Sequence, residues 1–417
     1  MRIAICSLSQ FTYVAEFIDA AKRLNKEHEV CYFLGFACQD SIKLLQQKRL
    51  PYQVVGDEQV DITSVLTIPA LAKSTYELFK SYFFKHAELI LPSLIKTFKA
   101  WEPDLVLSHW RDYAGMTAAE IIDVPMVSFG SLISPLRVEG IDPPFGAGVS
   151  RDAPKRLQQM MWKLHHKFNK RADQLYNERI RQPYGLDDVC GVSTLHSSQL
   201  VLLSTIPTLS NKYSPEPPYI KYVGPLFSGK VESVEADEAD KVARIASMPK
   251  PRVLVTLGTT HVEILIEKCL EALVAFPGTL IVSLGGKKAI EIGSLLERKN
   301  LIWSFFFSDL NKVLELVNTV VTVSAPKTVL ASLAVGKPLV CLPQQGEQYE
   351  IAYRLQSLGA AEVPCPRRWD SQTFVRVTEQ VATEDRYRKA AAVLRADVKQ
   401  SGGGDEVVRL INTSLHL

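Results

Sequence analysis

The chain has 417 residues, 47% of them hydrophobic, which is enough for two cores of ordinary domain size. Its formal net charge of +3 is too small to mark a nucleic-acid binder. No apolar run approaches the roughly 20 residues that a membrane-spanning helix needs. The opening residues lack the length and cleavage site of a signal peptide, so a cytoplasmic protein is expected.

In chain order, Ile3–Cys6, Val30–Leu34, Tyr52–Val55, Leu105–Ser108, Met126–Phe129 and Leu200–Leu203 read as buried parallel strands, continuous and rich in branched residues. Between the first two, Val14, Phe17, Ile18, Ala21 and Leu24 recur at helical spacing. Residues 63–98 carry an unusual density of aromatics, among them Tyr76, Phe79, Tyr82, Phe83 and Phe84. Residues 154–184 predict a basic amphipathic helix, with Met160, Met161, Trp162, Leu164 and Phe168 beside Lys155, Arg156, Lys163, Lys167, Lys170 and Arg171. Two readings of that helix stay open: a solvated face covering the first domain, or peripheral contact with an anionic membrane.

Residues 228–250 are acidic and end in prolines, the composition of an inter-domain linker. The strand pattern then restarts with Val253–Leu257, Leu280–Leu284, Leu301–Phe305, Val320–Val323 and Leu339–Leu342. Such alternation predicts an α/β protein with two Rossmann-like, doubly wound parallel sheets facing a cleft. The expected division is 1–227 for the first domain, 228–250 for the linker, 251–400 for the second domain and 401–417 for a tail helix. The seven cysteines are scattered with no Cys-x-x-Cys pair, which predicts reduced core thiols and no metal site.

The most informative stretch is 319–348, TVVTVSAPKTVLASLAVGKPLVCLPQQGEQ. Two strand-like runs flank a helix-like run, and a loop with Gln344, Gln345, Glu347 and Gln348 follows. This resembles the donor signature of the UDP-glycosyltransferase superfamily, and the resemblance implies a GT-B fold. Thr328 and the pair Glu347–Gln348 match that signature. Val323 stands at its histidine, Ser324 and Ala325 at its two glycines, and Ala331 at its ribose-binding acid. A narrower resemblance, to zeaxanthin glucosyltransferase-type enzymes, rests on 101–107, 124–129, 134–145 and 222–226, and it implies a lipophilic acceptor.

Glycosyl transfer needs a diphosphate pocket, a base for the acceptor hydroxyl and positive potential for the leaving group. The turn Ser324, Ala325, Pro326, Lys327, Thr328 opens a helix, and its N-terminus suits an anion. Gly258, Thr259 and Thr260 form a second phosphate-loop candidate, and Gly285 to Lys288 a third. By resemblance, Phe307 stacks on the base ring. Glu347 and Gln348 side by side can accept from and donate to vicinal sugar hydroxyls. The co-substrate implied is a nucleotide-sugar, UDP-sugar foremost, with no permanently bound cofactor.

In the family a histidine follows the first strand and an aspartate after the fourth orients it. Here the first loop has no histidine, and His109 occupies the aspartate position. A relocated dyad of His109 as base with Asp112 or Thr12 is one reading; a hydrogen-bonded cleft histidine is the other. The activity expected is inverting sugar transfer from a nucleotide-sugar to a hydroxyl of a lipophilic small molecule. The alternative is a GT-B scaffold without glycosyl transfer, either a binding or helper protein for a hydrophobic metabolite or an enzyme of other chemistry.

Overall fold

The computed structural model describes residues 1–56, 75–131, 139–140, 143–144, 147–150, 152–192, 195–210, 217–226, 237–257, 263–285, 298–305, 307–344, 346–364 and 370–414. The first half holds seven parallel strands: β1 (Arg2–Ser7), β2 (Glu29–Leu34), β3 (Tyr52–Val54), β4 (Leu105–His109), β5 (Met126–Gly130), β6 (Leu200–Leu203) and β7 (Ile220–Tyr222). They lie in the order β3-β2-β1-β4-β5-β6-β7. The second half holds β8 (Arg252–Thr256), β9 (Thr279–Ser283), β10 (Leu301–Ser304), β11 (Thr319–Thr322), β12 (Leu339–Cys341) and β13 (Ala361–Glu362), in the order β10-β9-β8-β11-β12-β13. Both sheets reverse their winding next to their first strand, at β1/β4 and at β8/β11. Ligands of open α/β sheets bind outside the carboxyl ends at such points.

The inner strands are largely apolar and buried because both faces of each sheet are covered. Side chains alternate between two cores: Ile3 and Ile5 join one cluster, and Ala4 and Cys6 join the opposite one. The second sheet repeats this, with Val253 and Val255 on one side and Leu254 on the other. Phe79, Phe83 and Phe84, from the aromatic-rich stretch, pack into the first-half core on a π-helical turn, Phe79–Phe84. Residues 57–74 of that stretch lie outside the described residues. Six cysteines are free thiols, and Cys365 lies outside the described residues.

Within the stretch expected as linker, residues 238–247 form a helix of the second half. Its Ile245 is buried in the second core, and the Glu238 carboxylate accepts from the Ser308 N–H and hydroxyl, both at 2.8 Å. Arg252 closes the other end by donating to the carbonyls of Ala246 (2.6 Å) and Met248 (2.9 Å). The acidic residues of this segment are therefore partly structural. The last helix, Gly403–Ser414, packs Val407, Leu410 and Ile411 against Ile18, Ala21 and Leu24 of the first half. Beside that return, Gly224 has φ +78°, and a Cβ there would lie 1.8 Å from Ser401 Oγ. The Gly403 N–H donates to Val223 O at 2.8 Å, so the outgoing and returning chain segments run together.

Candidate active site

The two halves meet through residues that follow the carboxyl ends of their strands. The segment after β11 supplies a helix, Pro326–Ala334, with Pro326 in its first turn and no side chain capping its N-terminus. The Lys327 and Thr328 N–H groups are thus available to an acceptor of negative charge. Ser324, at the position of a family glycine, has φ +66°, a conformation costing an L-residue roughly 1–2 kcal/mol. Its hydroxyl is buried with no nitrogen or oxygen partner, beside the Cys341 thiol. Backbone strain and such a poorly partnered polar atom thus fall on one residue at a helix mouth. Ala325 is the N-cap residue, and Thr328 is half-buried in the first turn.

Lys327 reaches across the crevice, its ammonium donating to the Thr12 carbonyl. Thr12 contributes through its backbone, and its side chain is exposed. Beyond Thr12 lies a buried polar cluster. The His109 Nε2 is 3.7 Å from Glu16 Oε2, and the Ser204 hydroxyl donates to Glu16 Oε1 at 3.0 Å. Burial alone would raise the Glu16 carboxyl, but the nearby His109 ring, the Lys327 charge and the Ser204 hydroxyl bring it down to about 2. Burial lowers the pKa of His109, partly offset by Glu16, and lowers that of Lys327 for the same reason.

The carboxylate partner of His109 is therefore Glu16. Relative to the family arrangement the types are exchanged: the carboxylate follows β1 and the imidazole ends β4. Asp112 does not face the ring; its side chain caps the helix Tyr113–Ile121, accepting from the Gly115 N–H at 3.1 Å. Burial raises its carboxyl to about 6. A raised carboxyl contributes stability below its unfolded pKa and loses it as pH rises through 6. Asp112→Asn keeps an N-cap acceptor and removes the buried charge. It is expected to raise stability by about 2 kcal/mol at pH 7.5 and to have little effect at pH 4, measured by urea unfolding.

The His109 ring is 1% exposed and carries the edge of Tyr13 at 5.1 Å. Its Nδ1 accepts the Arg111 N–H at 3.1 Å, so a neutral ring carries its proton on Nε2, toward Glu16. Nδ1 is occupied by this bond, and Nε2 faces the Glu16 carboxylate.

Glu347 begins the helix Glu347–Ser357, and its Oε2 accepts from Arg111 Nη2 at 3.0 Å. Arg111 is the residue that sequence reasoning left without a role. Gln348 braces its own loop, its Oε1 accepting the Gln344 N–H at 2.9 Å. Phe307 is packed in the second core with Ile245, Val313 and Ala331, so its ring offers no free face for a base. Ala331, at the family's ribose acid, is part of the same apolar cluster. Gly258, Thr259, Thr260 and 286–288 lie outside the described residues.

No family model matches the chain. Demethyllactenocin mycarosyltransferase of Streptomyces fradiae is 24% identical over 322 residues, 75% of this chain and 64% of that protein. The match thus spans less than two thirds of the curated relative's length. Among solved structures, the glycosyltransferase of kitacinnamycin aligns with TM-score 0.75 and 17% identity over 99% of both chains. The spinosyn rhamnosyltransferase SpnG complexed with thymidine diphosphate aligns with TM-score 0.67 and 18% identity, covering 99% of this chain and 100% of that one. With two parallel α/β sheets meeting at their carboxyl ends and neighbours of this kind, the chain has the GT-B fold of natural-product glycosyltransferases.

Proposed function

We propose that the protein is a glycosyltransferase moving a sugar from a nucleotide-sugar to a hydroxyl of a lipophilic natural product, with inversion. The observation that carries this is the uncapped Pro326–Ala334 helix, whose mouth holds the strained Ser324, its hydroxyl without a nitrogen or oxygen partner, and whose Lys327 lies over the crevice. A diphosphate there would take the free N–H groups, the Ser324 hydroxyl and the Lys327 charge, which also favours its departure. Glu347 and Gln348 would face the sugar. His109, oriented by Glu16, is the proposed base, freed when an acceptor displaces Tyr13 and one ring nitrogen releases its partner.

Two neighbours are named as complexes with DTDP and thymidine diphosphate, so a thymidine donor stands beside the uridine donor as a candidate. The mycarosyltransferase and spinosyn names, together with the zeaxanthin-type resemblance, support an apolar acceptor. A second reading, a scaffold without transfer, draws on Ala331 and Phe307, because apolar packing replaces the ribose acid and consumes the stacking ring. Thermal-shift titration with UDP, TDP, GDP and their glucose conjugates separates the two. A donor at a hundred times its Kd should stabilise the fold by about 2.7 kcal/mol. No shift with any of them would favour the scaffold.

We also propose peripheral membrane contact through the helix Lys155–Tyr176. Met160 and Leu164 are 51% and 52% exposed, beside exposed Lys155, Arg156, Lys163, Lys167, Lys170 and Arg171. Buried Trp162, Ala172 and Tyr176 hold the other face to the first half. Cations around an apolar pair suit an anionic bilayer surface. No described helix is long and apolar enough to cross one. Co-sedimentation with phosphatidylserine vesicles at low salt is expected, with loss on charge reversal at Lys163, Lys167 and Lys170. A wild type that stays in the supernatant refutes the contact.

A further inference from the structure

Arg111 joins the two halves of the crevice. Its backbone N–H holds His109 Nδ1 at 3.1 Å, and its guanidinium holds Glu347 at 3.0 Å across the domain boundary. The guanidinium is itself fixed, lying 4.4 Å over the Trp110 ring and 5.3 Å from that of Phe83. The Tyr13 hydroxyl, whose ring shields His109, lies beside it. Arg111 and Glu347 keep 17% and 21% of their side-chain surface, so the pair borders the crevice and is not sealed in a core.

The partner's setting is equally specific. Gly346, just before Glu347, has φ +50°, and a Cβ there would sit 4.0 Å from Arg111 Nη2. Only a residue tolerant of that backbone brings the helix start up to the guanidinium. An ionised carboxylate has about four lone-pair sites. The Arg111 bond uses one of them, leaving capacity for sugar hydroxyls. A charge-assisted bond from a stacked, pre-oriented guanidinium is well suited to fixing the direction of a carboxylate.

We infer that Arg111 is a positioning residue of the donor site, holding the Glu347 carboxylate toward the sugar of the nucleotide-sugar. This rests on the glycosyltransferase reading. It gives that reading a device by which the first half, which would hold the acceptor, orients a sugar contact on the second half. The opposed possibility is a latch: Arg111 would occupy Glu347 only until the donor displaces it. The two make opposite predictions, because removing a latch strengthens donor binding and removing a positioning group weakens it.

The test is calorimetric titration of the full chain with TDP, UDP, TDP-glucose and UDP-glucose. The quantity of interest is the affinity gained by adding the sugar to the bare diphosphate. Arg111→Gln should bind the diphosphates within twofold of wild type and lose at least tenfold in affinity for the conjugates. Glu347→Gln should reproduce that loss, the double variant should add little to it, and Arg111→Lys should recover part. Melting curves within a few degrees of wild type exclude global damage as the cause. The inference is overturned if Arg111→Gln keeps the sugar increment, if it binds the conjugates more tightly, or if wild type shows no sugar increment. A wild type that binds no nucleotide at all sinks the glycosyltransferase reading itself, a result distinct from the other three.

Discussion

Glu16→Ala is expected to destabilise the protein by about 3–5 kcal/mol at neutral pH. Removing one member of a buried charged cluster strands the others. Glu16 is buried with its two oxygens facing His109 and Ser204, and its charge offsets that of Lys327. Alanine leaves the Ser204 hydroxyl without its acceptor and Lys327 without its counter-charge. The wild-type protein should also carry a signature of this carboxylate in acid. Its folded pKa of about 2 lies below the ordinary 4.5, so the folded state binds fewer protons than the unfolded chain between those values. The contribution is complete above 4.5 and is lost as pH falls toward 2, about 3 kcal/mol in all. His109 acts in the same direction from a higher starting point. Its lowered pKa means the unfolded imidazole takes a proton below about 6.5 that the folded one resists. Urea unfolding at pH 7, 5 and 3.5 reads both effects. A Glu16→Ala protein as stable as wild type, or a wild type that is pH-insensitive across that range, would contradict this account of the cluster.

His109→Ala is expected to lower turnover at least a hundredfold, the low end of what a positioned base contributes. The loss should be in kcat, since the ring is buried behind Tyr13. His109 accepts from Arg111 and faces Glu16, so a stability change is also expected; His109→Gln, which keeps hydrogen-bonding capacity, controls for it. The pH profile of kcat/KM should rise through an apparent pKa below 6.5 and stay flat through neutrality, because burial holds the ring neutral there. Near-normal turnover by the alanine variant would remove His109 from the chemistry and leave Glu16–His109 as a purely structural pair.

Much of the architecture is legible in the sequence because buried parallel strands are written as unbroken branched runs. Eleven such runs predict β1 to β6 and β8 to β12 within a residue or two of their observed bounds. The strands that escape, Ile220–Tyr222 and Ala361–Glu362, are short and carry Lys221 and Glu362, so they show no unbroken branched run. The helix at 238–247 hides behind its acidic residues. Glu238 is satisfied by Ser308, 70 positions away, and composition cannot show such a pairing.

The site is less legible, for the same reason. Glu16 sits among Val14, Phe17 and Ile18, in what reads as an ordinary apolar helix, and its partner His109 ends β4, with β2, β3 and several helices between them. Arg111 and Glu347 lie 236 positions apart. The motif located the helix mouth at Ser324 and the carboxylate at Glu347. It gave no sign that Ser324 has a left-handed backbone, or that Phe307 lies inside the core. One available signal was a histidine at an aspartate's position, which invited a search for a carboxylate on the opposite loop.

The contact of Ser401–Gly403 with Val223–Gly224 carries a mechanical consequence. The returning segment, fastened there to the first half, is a hinge pin on one edge of the molecule. Movement that preserves the Gly403–Val223 bond is rotation about that edge, whereas sliding or twisting one lobe past the other would tear it. Opening should therefore be a swing, with Lys327–Thr12 and Arg111–Glu347 as the catches that part.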